Sequence, residues 1–258
     1  MTEEEGDAKA FATQAAQEGY HSVFAMGGDG TLNEVVNGLA NQDQRPRFGF
    51  FPLGTVNDLA RALAIPLDPL QAIDEMKLNR TRLLDIGKIN DTYFTNIVAI
   101  GNIPESINNV DDDQKTLLGP FAYVLSGLKD VLSNESYEFH IVRDNQEEEL
   151  KSSLLLIGLT NSIGGMKQIT NQARVDDGYL HLVYTKDHHL MDMIKSLPSL
   201  FADHSQTNDQ LGYYRVKKVK VSVAGPVLGS NVDGDEGDEL PLEIHVLPHH
   251  LQVYTTQS

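Results

Sequence analysis

The first third of the chain switches repeatedly between helical and strand spacing of its hydrophobic residues. The predicted elements, in order, are a helix carrying Ala8, Phe11, Ala12, Ala15 and Ala16, a strand at 22–26, a helix carrying Leu32, Val35, Val36 and Leu39, a strand at 47–51 and a short helix at 59–64. Strands that alternate with helices in this way predict a parallel sheet flanked by helices.

From about residue 82 the pattern changes to short strands separated by turns. Val219, Val221 and Val223 alternate with polar residues, which is typical of a half-buried strand. The predicted strands lie at 83–89, 92–100, 136–142, 154–160, 179–185, 216–224 and 242–246, and two helices lie at 116–132 and 190–201. Such a series favours an antiparallel sandwich or barrel.

The two patterns together predict the fold class α/β followed by β. The first domain is expected at 1–82, with 247–258 as a segment that can return to it, and a β-rich domain at 83–246. The 258-residue length is compatible with two modest domains.

Charge and composition exclude several classes of protein. The formal net charge is −17, and such a field repels phosphate backbones, so no nucleic-acid partner is expected. The chain has no cysteine, which excludes disulfides, thiolate catalysis and cysteine-ligated zinc. No apolar run is long enough for a transmembrane segment and the first residues are acidic, so we predict a cytoplasmic protein.

The segment with most chemical content joins a predicted strand to a predicted helix through Gly27, Gly28, Asp29 and Gly30. Glycines let the backbone approach an anion, and the free N–H groups of the helix start point at it. Asp29 fits such a loop if it holds Mg²⁺ beside nucleotide phosphates. No Gly-Lys-Ser/Thr follows, and position 33 is Asn33, so the Walker and dinucleotide motifs are absent. An ordinary strand-to-helix turn is the alternative.

A second strand–loop–helix junction lies at 51–61. Thr55 can hydrogen-bond a phosphate or a base, and Asn57 or Asp58 can cap the helix that follows. A simple capped turn explains the segment equally well.

These segments, in their order, resemble the catalytic domain of the diacylglycerol kinase family, the bacterial soluble lipid kinases related to sphingosine kinases. The matching stretches are GGDGTLNEV at 27–35, GTVNDLAR at 54–61, FTNIVAIG at 94–101, GPFAY at 119–123, DDGYL at 176–180 and NVDGD at 231–235. GGDGT alone is shared with NAD kinases, whereas the ordered set runs across nearly the whole chain.

The resemblance implies an ATP-dependent lipid kinase whose Rossmann-like nucleotide domain faces a lipid-substrate domain. The implied ATP contacts are Thr2, Gly27, Gly28, Asp29, Gly30, Thr31, Leu32, Asn33, Glu34, Thr55 and Asn57. The implied Mg²⁺ ligands are Asp177, with backbone carbonyls near Arg174 and Tyr179, together with Asp29. For Asp177 the alternative is a tight turn before a strand.

Asp233 and Asp235 are the candidates for the general base that removes the proton from the lipid hydroxyl. Their spacing places both side chains on one side of an extended segment. An acidic loop is the alternative, while a calcium-binding loop is excluded because Glu236 stands where glycine is required.

Two departures from the family pattern change the expectations. The family has glutamate two residues after the first aspartate, and Asp235 is one methylene shorter, so the choice of base between Asp233 and Asp235 stays open. The family's first strand, with Asn-Pro-x-Ser/Ala-Gly, its helix and its second strand have no counterpart, so the nucleotide domain is expected to be truncated at its N-terminus.

Two other functions remain open at this point: an NAD kinase, and a catalytically silent binder of lipid or nucleotide. The expected partner is a lipid substrate at the membrane surface, reached by peripheral contact through an apolar rim near 117–128. A homodimer is an open alternative to a monomer. The paired histidines His188-His189 and His249-His250 are not expected to bind metal.

Overall fold

The computed structural model describes residues 2–101, 136–160, 162–163, 166–167, 173–186, 211–225 and 227–256. The helices predicted at 116–132 and 190–201, and the membrane-contact segment predicted at 117–128, lie outside these residues.

The N-terminal part is built from four helices and two parallel strands. In chain order they are α1 (Asp7–Gln17), β1 (Ser22–Gly27), α2 (Asp29–Ala40), β2 (Arg47–Pro52), α3 (Asp58–Ala62) and α4 (Pro69–Glu75). β1 pairs in parallel with β2, with Ala25 opposite Phe50. Gly38 of α2 lies directly against the backbone carbonyl of Lys9, so α1 and α2 pack closely. The predicted parallel sheet flanked by helices is confirmed.

The remaining chain forms strands throughout the described residues. They are β3 (Lys77–Ile89), β4 (Thr92–Phe94), β5 (Ile97–Gly101), β6 (Tyr137–Arg143), β7 (Gln146–Ser152), β8 (Leu154–Gly158), β9 (Ser162–Ile163), β10 (Met166–Lys167), β11 (Leu180–Thr185), β12 (Leu211–Val216), β13 (Lys218–Val223), β14 (Ser230–Val232), β15 (Asp235–Gly237) and β16 (Leu242–Thr255).

Two large sheets contain nearly all of these strands. The first sheet is mixed, in the order β1-β2-β16-β13-β6-β7, with β3 paired to β16 and β4 paired to β3. The second sheet has the order β12-β11-β8-β5-β14-β15 and is antiparallel throughout. The predicted α/β part followed by an antiparallel sandwich is therefore confirmed.

Strand β16 belongs to both parts of the molecule. Its first residues pair with β13, its whole length follows β3, and Val253 near its end pairs in parallel with Phe48 of β2. The sequence predicted a strand only at 242–246, because the register shifts between Leu247 and Leu251, where His249 has φ 52°. That irregularity interrupts the alternating pattern without ending the strand.

Two hydrophobic clusters fill the interior. The first joins the helices to β1, β2 and the last part of β16, with Phe48, Phe50 and Leu84 fully buried. The second lies between the two sheets and includes Phe94 and Phe139. Burial of each such side chain stabilises the fold by about 1.5–3 kcal/mol. The two clusters therefore hold the strands and helices, and the loops that join them, in fixed positions.

Some single elements differ from the prediction, and the short strands β7, β14 and β15 were not predicted. The strand predicted at 92–100 is divided into β4 and β5, because the chain turns at Thr95 and Asn96. The strand predicted at 216–224 is β13 alone, since Lys217 separates it from β12. Helix α4 was not predicted, although Asp68 caps it by accepting the Gln71 N–H at 2.8 Å and Pro69 occupies its first turn.

Candidate active site

The glycine loop after β1 packs against the loop after β2. These loops leave the carboxyl ends of neighbouring parallel strands, where ligands of open α/β sheets bind. A Cβ on Gly54 would lie 2.6 Å from the Gly28 Cα, so only glycine lets the two backbones approach this closely. Gly28 precedes the first turn of α2, whose N–H groups are free to bind an anion.

Asp29 has a structural role that the sequence did not reveal. Its two carboxylate oxygens accept the backbone N–H groups of Asn57 at 2.8 Å and Asp58 at 2.9 Å, at the start of α3. The prediction that Asn57 or Asp58 caps α3 is wrong for Asn57, whose side chain instead bonds the N–H and C=O of Gly54. Burial raises the pKa of Asp29, and the neighbouring charge of Asp58 raises it further.

Asp233 lies in the tight turn between β14 and β15, with φ 53°. The residue is half-buried, and its carboxylate is surrounded by hydrogen-bond donors. One oxygen accepts the N–H groups of Asn96 at 2.9 Å and Ile97 at 2.8 Å. The other accepts the Thr95 N–H at 2.7 Å and hydroxyl at 3.2 Å, and the Asn33 side-chain amide at 3.2 Å. Burial raises the pKa of Asp233 to about 6, against the opposing effect of these donors.

Asp235 differs from Asp233 in its exposure and in its neighbours. It is exposed, it begins β15, and it faces Glu5 and Glu34 across a cleft. Partial burial raises the pKa of Asp235, and the negative charges of Glu5 and Glu34 raise it further. The expectation that Asp233 and Asp235 share one side of an extended segment is wrong, because the chain reverses at Asp233 and Gly234.

We call the space between α2 and β15 the α2–β15 cleft. It has a volume of about 820 Å³, within the usual range for a small-molecule site. Its described lining residues are Glu5, Gly6, Lys9, Gly30, Thr31, Asn33, Glu34, Asn37, Thr92, Tyr93, Val232, Asp235, Glu236, Gly237 and Asp238. Five of these carry carboxylates and one is a lysine, so the cleft is strongly electronegative.

Sequence reasoning missed several lining residues, among them Asn37 and Tyr93. The Asn37 side chain donates to the Tyr93 carbonyl and accepts its N–H, both at 2.9 Å, which fixes β4 to α2. Asn37 also bonds Asn33, four residues earlier on the same helix face. The separation of four residues between Asn33 and Asn37 was the feature of the sequence from which Asn37 could have been identified.

The structure distributes the predicted nucleotide-binding residues among different surroundings. Gly30, Thr31, Asn33 and Glu34 line the α2–β15 cleft. Leu32 is fully buried in the core, Asn57 is buried beside Gly54, and Thr2 and Thr55 are exposed. Glu34 also accepts the Ala8 N–H at 3.1 Å, which connects α2 to the start of α1.

The predicted metal ligands Arg174, Asp177 and Tyr179 lie together in the turn before β11. One Asp177 oxygen accepts the Tyr179 N–H at 3.0 Å, and the other accepts the Arg174 N–H at 3.3 Å. Within the described residues no group of three or more His, Asp or Glu side chains could hold a metal ion. The turn nevertheless combines one carboxylate with backbone carbonyls, the oxygen ligands that Mg²⁺ accepts, so its chemistry fits that ion.

Side chains of β3 hold this turn in place. Arg82 donates to both oxygens of Asp176 at 3.0 Å. Asp85 accepts the N–H groups of Gly178 and His249, both at 2.6 Å, and so joins the turn to the irregular part of β16. The Arg82 guanidinium lowers the pKa of Asp176, whereas burial raises the pKa of Asp85.

No helix within the described parts of the chain has the length and apolar character needed to cross a bilayer.

Comparisons with known proteins agree with this arrangement. Residues 1–89 match the family model of the diacylglycerol kinase catalytic domain, and residues 96–255 match that of the YegS C-terminal NAD kinase beta sandwich-like domain. The chain is 37% identical over 257 residues to a protein named diacylglycerol kinase from Staphylococcus carnosus, covering 100% of this chain and 84% of the relative. A Staphylococcus haemolyticus protein of the same name is 35% identical, covering 100% of this chain and 78% of the relative.

Solved structures give the same result. A crystal structure described as a "putative diacylglycerol kinase" from Bacillus anthracis aligns with a TM-score of 0.86 at 28% identity, covering 98% of this chain and 82% of the other. The glycine loop, the hairpin of Asp233 and Asp235, the sandwich and these relatives lead to one conclusion: the chain belongs to the diacylglycerol kinase family.

Proposed function

We propose that the protein transfers the γ-phosphate of ATP to the hydroxyl group of diacylglycerol or a similar lipid alcohol. The observation that carries the proposal is the α2–β15 cleft. It brings the first turn of α2, suited to bind phosphate, opposite the exposed carboxylate of Asp235. Family membership supports a lipid kinase, and the cleft supports the nucleotide and the site of transfer.

Asp235 is the proposed general base, and Asp233 is not. All five donors around Asp233 point at its carboxylate, which leaves little room for a substrate hydroxyl. Asp235 opens into the cleft, and its raised pKa makes it a stronger base than an ordinary aspartate. It would take the proton of the lipid hydroxyl while the oxygen bonds to the γ-phosphorus and ADP leaves.

The triphosphate is proposed to bind along the first turn of α2, from Gly27 to Glu34, with Thr2, Thr55 and Asn57 completing the nucleotide site. The dipole of this 12-residue helix favours an anion at that end. Its effect is opposed by the carboxylates of the cleft, so a cation is needed to balance the charge.

Mg²⁺ is the cation that we propose. Asp177, with the carbonyls of Arg174 and Tyr179, would hold one ion in the turn before β11, and Asp29 lies at the glycine loop. When bound near the phosphates, Mg²⁺ supplies neutralisation of the charge on the transferred group. Asp29 and Asp58 also repel one another, since the charge of Asp58 raises the pKa of Asp29, and a nearby cation would relieve that repulsion.

The proposed setting is the cytoplasm, with peripheral contact between the protein and the membrane that contains the acceptor lipid. Diacylglycerol remains in the bilayer, so the enzyme has to reach its hydroxyl at the surface.

Incubation of the protein with labelled ATP, Mg²⁺ and mixed micelles of different lipid alcohols tests the proposal. We expect a labelled lipid, and a steep loss of product with Asp235→Asn. NAD in place of lipid tests the NAD kinase alternative. The silent-binder alternative predicts lipid binding without any thermal shift from ATP analogues and Mg²⁺. If no lipid alcohol becomes labelled, the proposed function is wrong.

A further inference from the structure

A chain of three polar side chains, two of them buried, connects the predicted metal turn to the second sheet. His181 Nε2 lies 3.1 Å from one carboxylate oxygen of Asp177, and His181 Nδ1 lies 2.6 Å from the Tyr213 hydroxyl. The side chains of His181 and Asp177 are only 2% and 5% exposed. None of the three residues lines the α2–β15 cleft, but Asp177 is the carboxylate of the proposed Mg²⁺ site.

Strand geometry explains why these residues meet. Leu180 and Leu182 of β11 face the core between the sheets, so His181 faces the other side of the second sheet. His181 is paired with Arg215 of β12, and Tyr213 is its diagonal neighbour two residues away on the same face. A long aromatic side chain spans that diagonal, and the His181 and Tyr213 rings stack with centroids 5.9 Å apart.

The direction of the hydrogen bonds follows from the chemistry of the groups. An ionised carboxylate only accepts, so Nε2–H of His181 donates to Asp177. In the neutral imidazole the other ring nitrogen lacks hydrogen and accepts the Tyr213 O–H. Asp177 therefore selects the tautomer of His181, and the Tyr213 hydroxyl holds the imidazole ring in place against the carboxylate.

These contacts determine how Asp177 can bind a cation. A carboxylate has about four lone-pair positions. Three are used by the N–H groups of Tyr179 and Arg174 and by His181. The fourth lone-pair position of Asp177 therefore points in one fixed direction. This is expected for a carboxylate that provides one oxygen to a metal ion.

We propose that His181 and Tyr213 are positioning residues that orient the Asp177 carboxylate for Mg²⁺. The inference rests on the metal site of the proposed function. Replacing a residue that hydrogen-bonds to a metal ligand, without touching the ion itself, typically lowers metal affinity by about 10–100-fold.

The test measures Mn²⁺ binding to the full chain by electron paramagnetic resonance, without ATP or lipid, and the Mg²⁺-induced rise in melting temperature. The site is defined as the Mn²⁺ binding that Asp177→Asn removes. We expect His181→Phe to weaken that binding about 10–100-fold, His181→Gln to restore part of it through its side-chain N–H, and Tyr213→Phe to weaken it less.

His140→Phe is the matched control. His140 contacts Glu149 at 2.8 Å in a similar pair, but both side chains are exposed, at 43% and 73%, so metal binding should not change. Wild-type affinity in His181→Phe, or equal losses in His140→Phe, would overturn the inference. If His181→Phe does not fold, Tyr213→Phe decides, because it removes a single hydroxyl from an exposed residue.

The outcomes also separate this inference from the kinase proposal. A protein that binds Mn²⁺ in the predicted way but phosphorylates no lipid would refute the proposed reaction and leave the positioning role standing. A wild-type protein with no Mn²⁺ binding removed by Asp177→Asn would refute both the metal site and the role of His181.

Discussion

Replacement of Asp233 by alanine separates its structural role from the catalytic role proposed for Asp235. The substitution leaves the N–H groups of Thr95, Asn96 and Ile97 without their hydrogen-bond acceptor in an enclosed site. Each buried donor without a partner costs about 1–3 kcal/mol, or about 6 kcal/mol for three. Loss of the buried charge offsets part of this cost.

The offset follows from the pKa of Asp233. A rise from 3.8 to about 6 corresponds to about 3 kcal/mol at neutral pH, at 1.36 kcal/mol per unit. The free energy of unfolding of Asp233→Ala should therefore be lower than that of the wild type by about 3 kcal/mol at pH 7. Asp235→Asn should change it by less than about 0.5 kcal/mol, because Asp235 is exposed.

The pH dependence gives this prediction a sign. The folded pKa of Asp233 lies above its unfolded value. The contribution of its carboxyl group to the free energy of unfolding is therefore greatest below the unfolded pKa, and it is lost as pH rises through about 6. The stability difference between the wild type and Asp233→Ala should thus be larger at pH 5 than at pH 8, by about 1 kcal/mol.

Urea unfolding at both pH values measures these differences, and single-turnover phosphate transfer measures the chemistry. Asp235→Asn should lower turnover about 10²–10⁴-fold, the usual range for a general base. A wild-type urea midpoint in Asp233→Ala, or full turnover in Asp235→Asn, would refute the assignment of roles.

Three further predictions concern other carboxylates and their partners. Glu5→Gln should move the acidic limb of the kcat/KM profile to lower pH, because it removes a charge that raises the pKa of Asp235; an unmoved limb in a pH titration would contradict this. Asp29→Ala should lower the free energy of unfolding by about 2 kcal/mol through loss of the α3 cap, and weaken ATP binding, measurable by urea unfolding and calorimetry. Arg82→Gln should cost about 1 kcal/mol at pH 7, since the Arg82–Asp176 pair is partly exposed. Arg82 lowers the pKa of Asp176, so this difference should disappear as pH falls through that lowered pKa; a constant difference down to pH 2 in acid titrations of unfolding would argue against it.

Periodicity was sufficient to predict the N-terminal strands and the helices before α4. The apolar stripe of α2 and the apolar run of β1 are local patterns in the sequence, and each was enough to identify its element, although only Ala25 of β1 is buried. The same pattern gave the positions of the glycine loops. Each loop leads from a parallel strand into a helix, so it must lie at the carboxyl end of that strand.

The roles of individual carboxylates could not be predicted in the same way. Asp29 caps a helix that begins 29 residues later, and Asp233 binds a turn that precedes it by more than 130 residues. No local spacing encodes such partners. The hairpin itself had a signal that was overlooked, because Asp-Gly at 233–234 is a common two-residue turn between strands.

The place of β16 has a consequence for how the protein is made. Its Val253 pairs with Phe48, which leaves the ribosome about 200 residues earlier. During vectorial synthesis the parallel sheet of the N-terminal part therefore lacks this strand until the sandwich has almost entirely emerged. Cotranslational folding of the N-terminal part should accordingly be delayed, and nascent chains arrested before residue 242 should remain sensitive to protease.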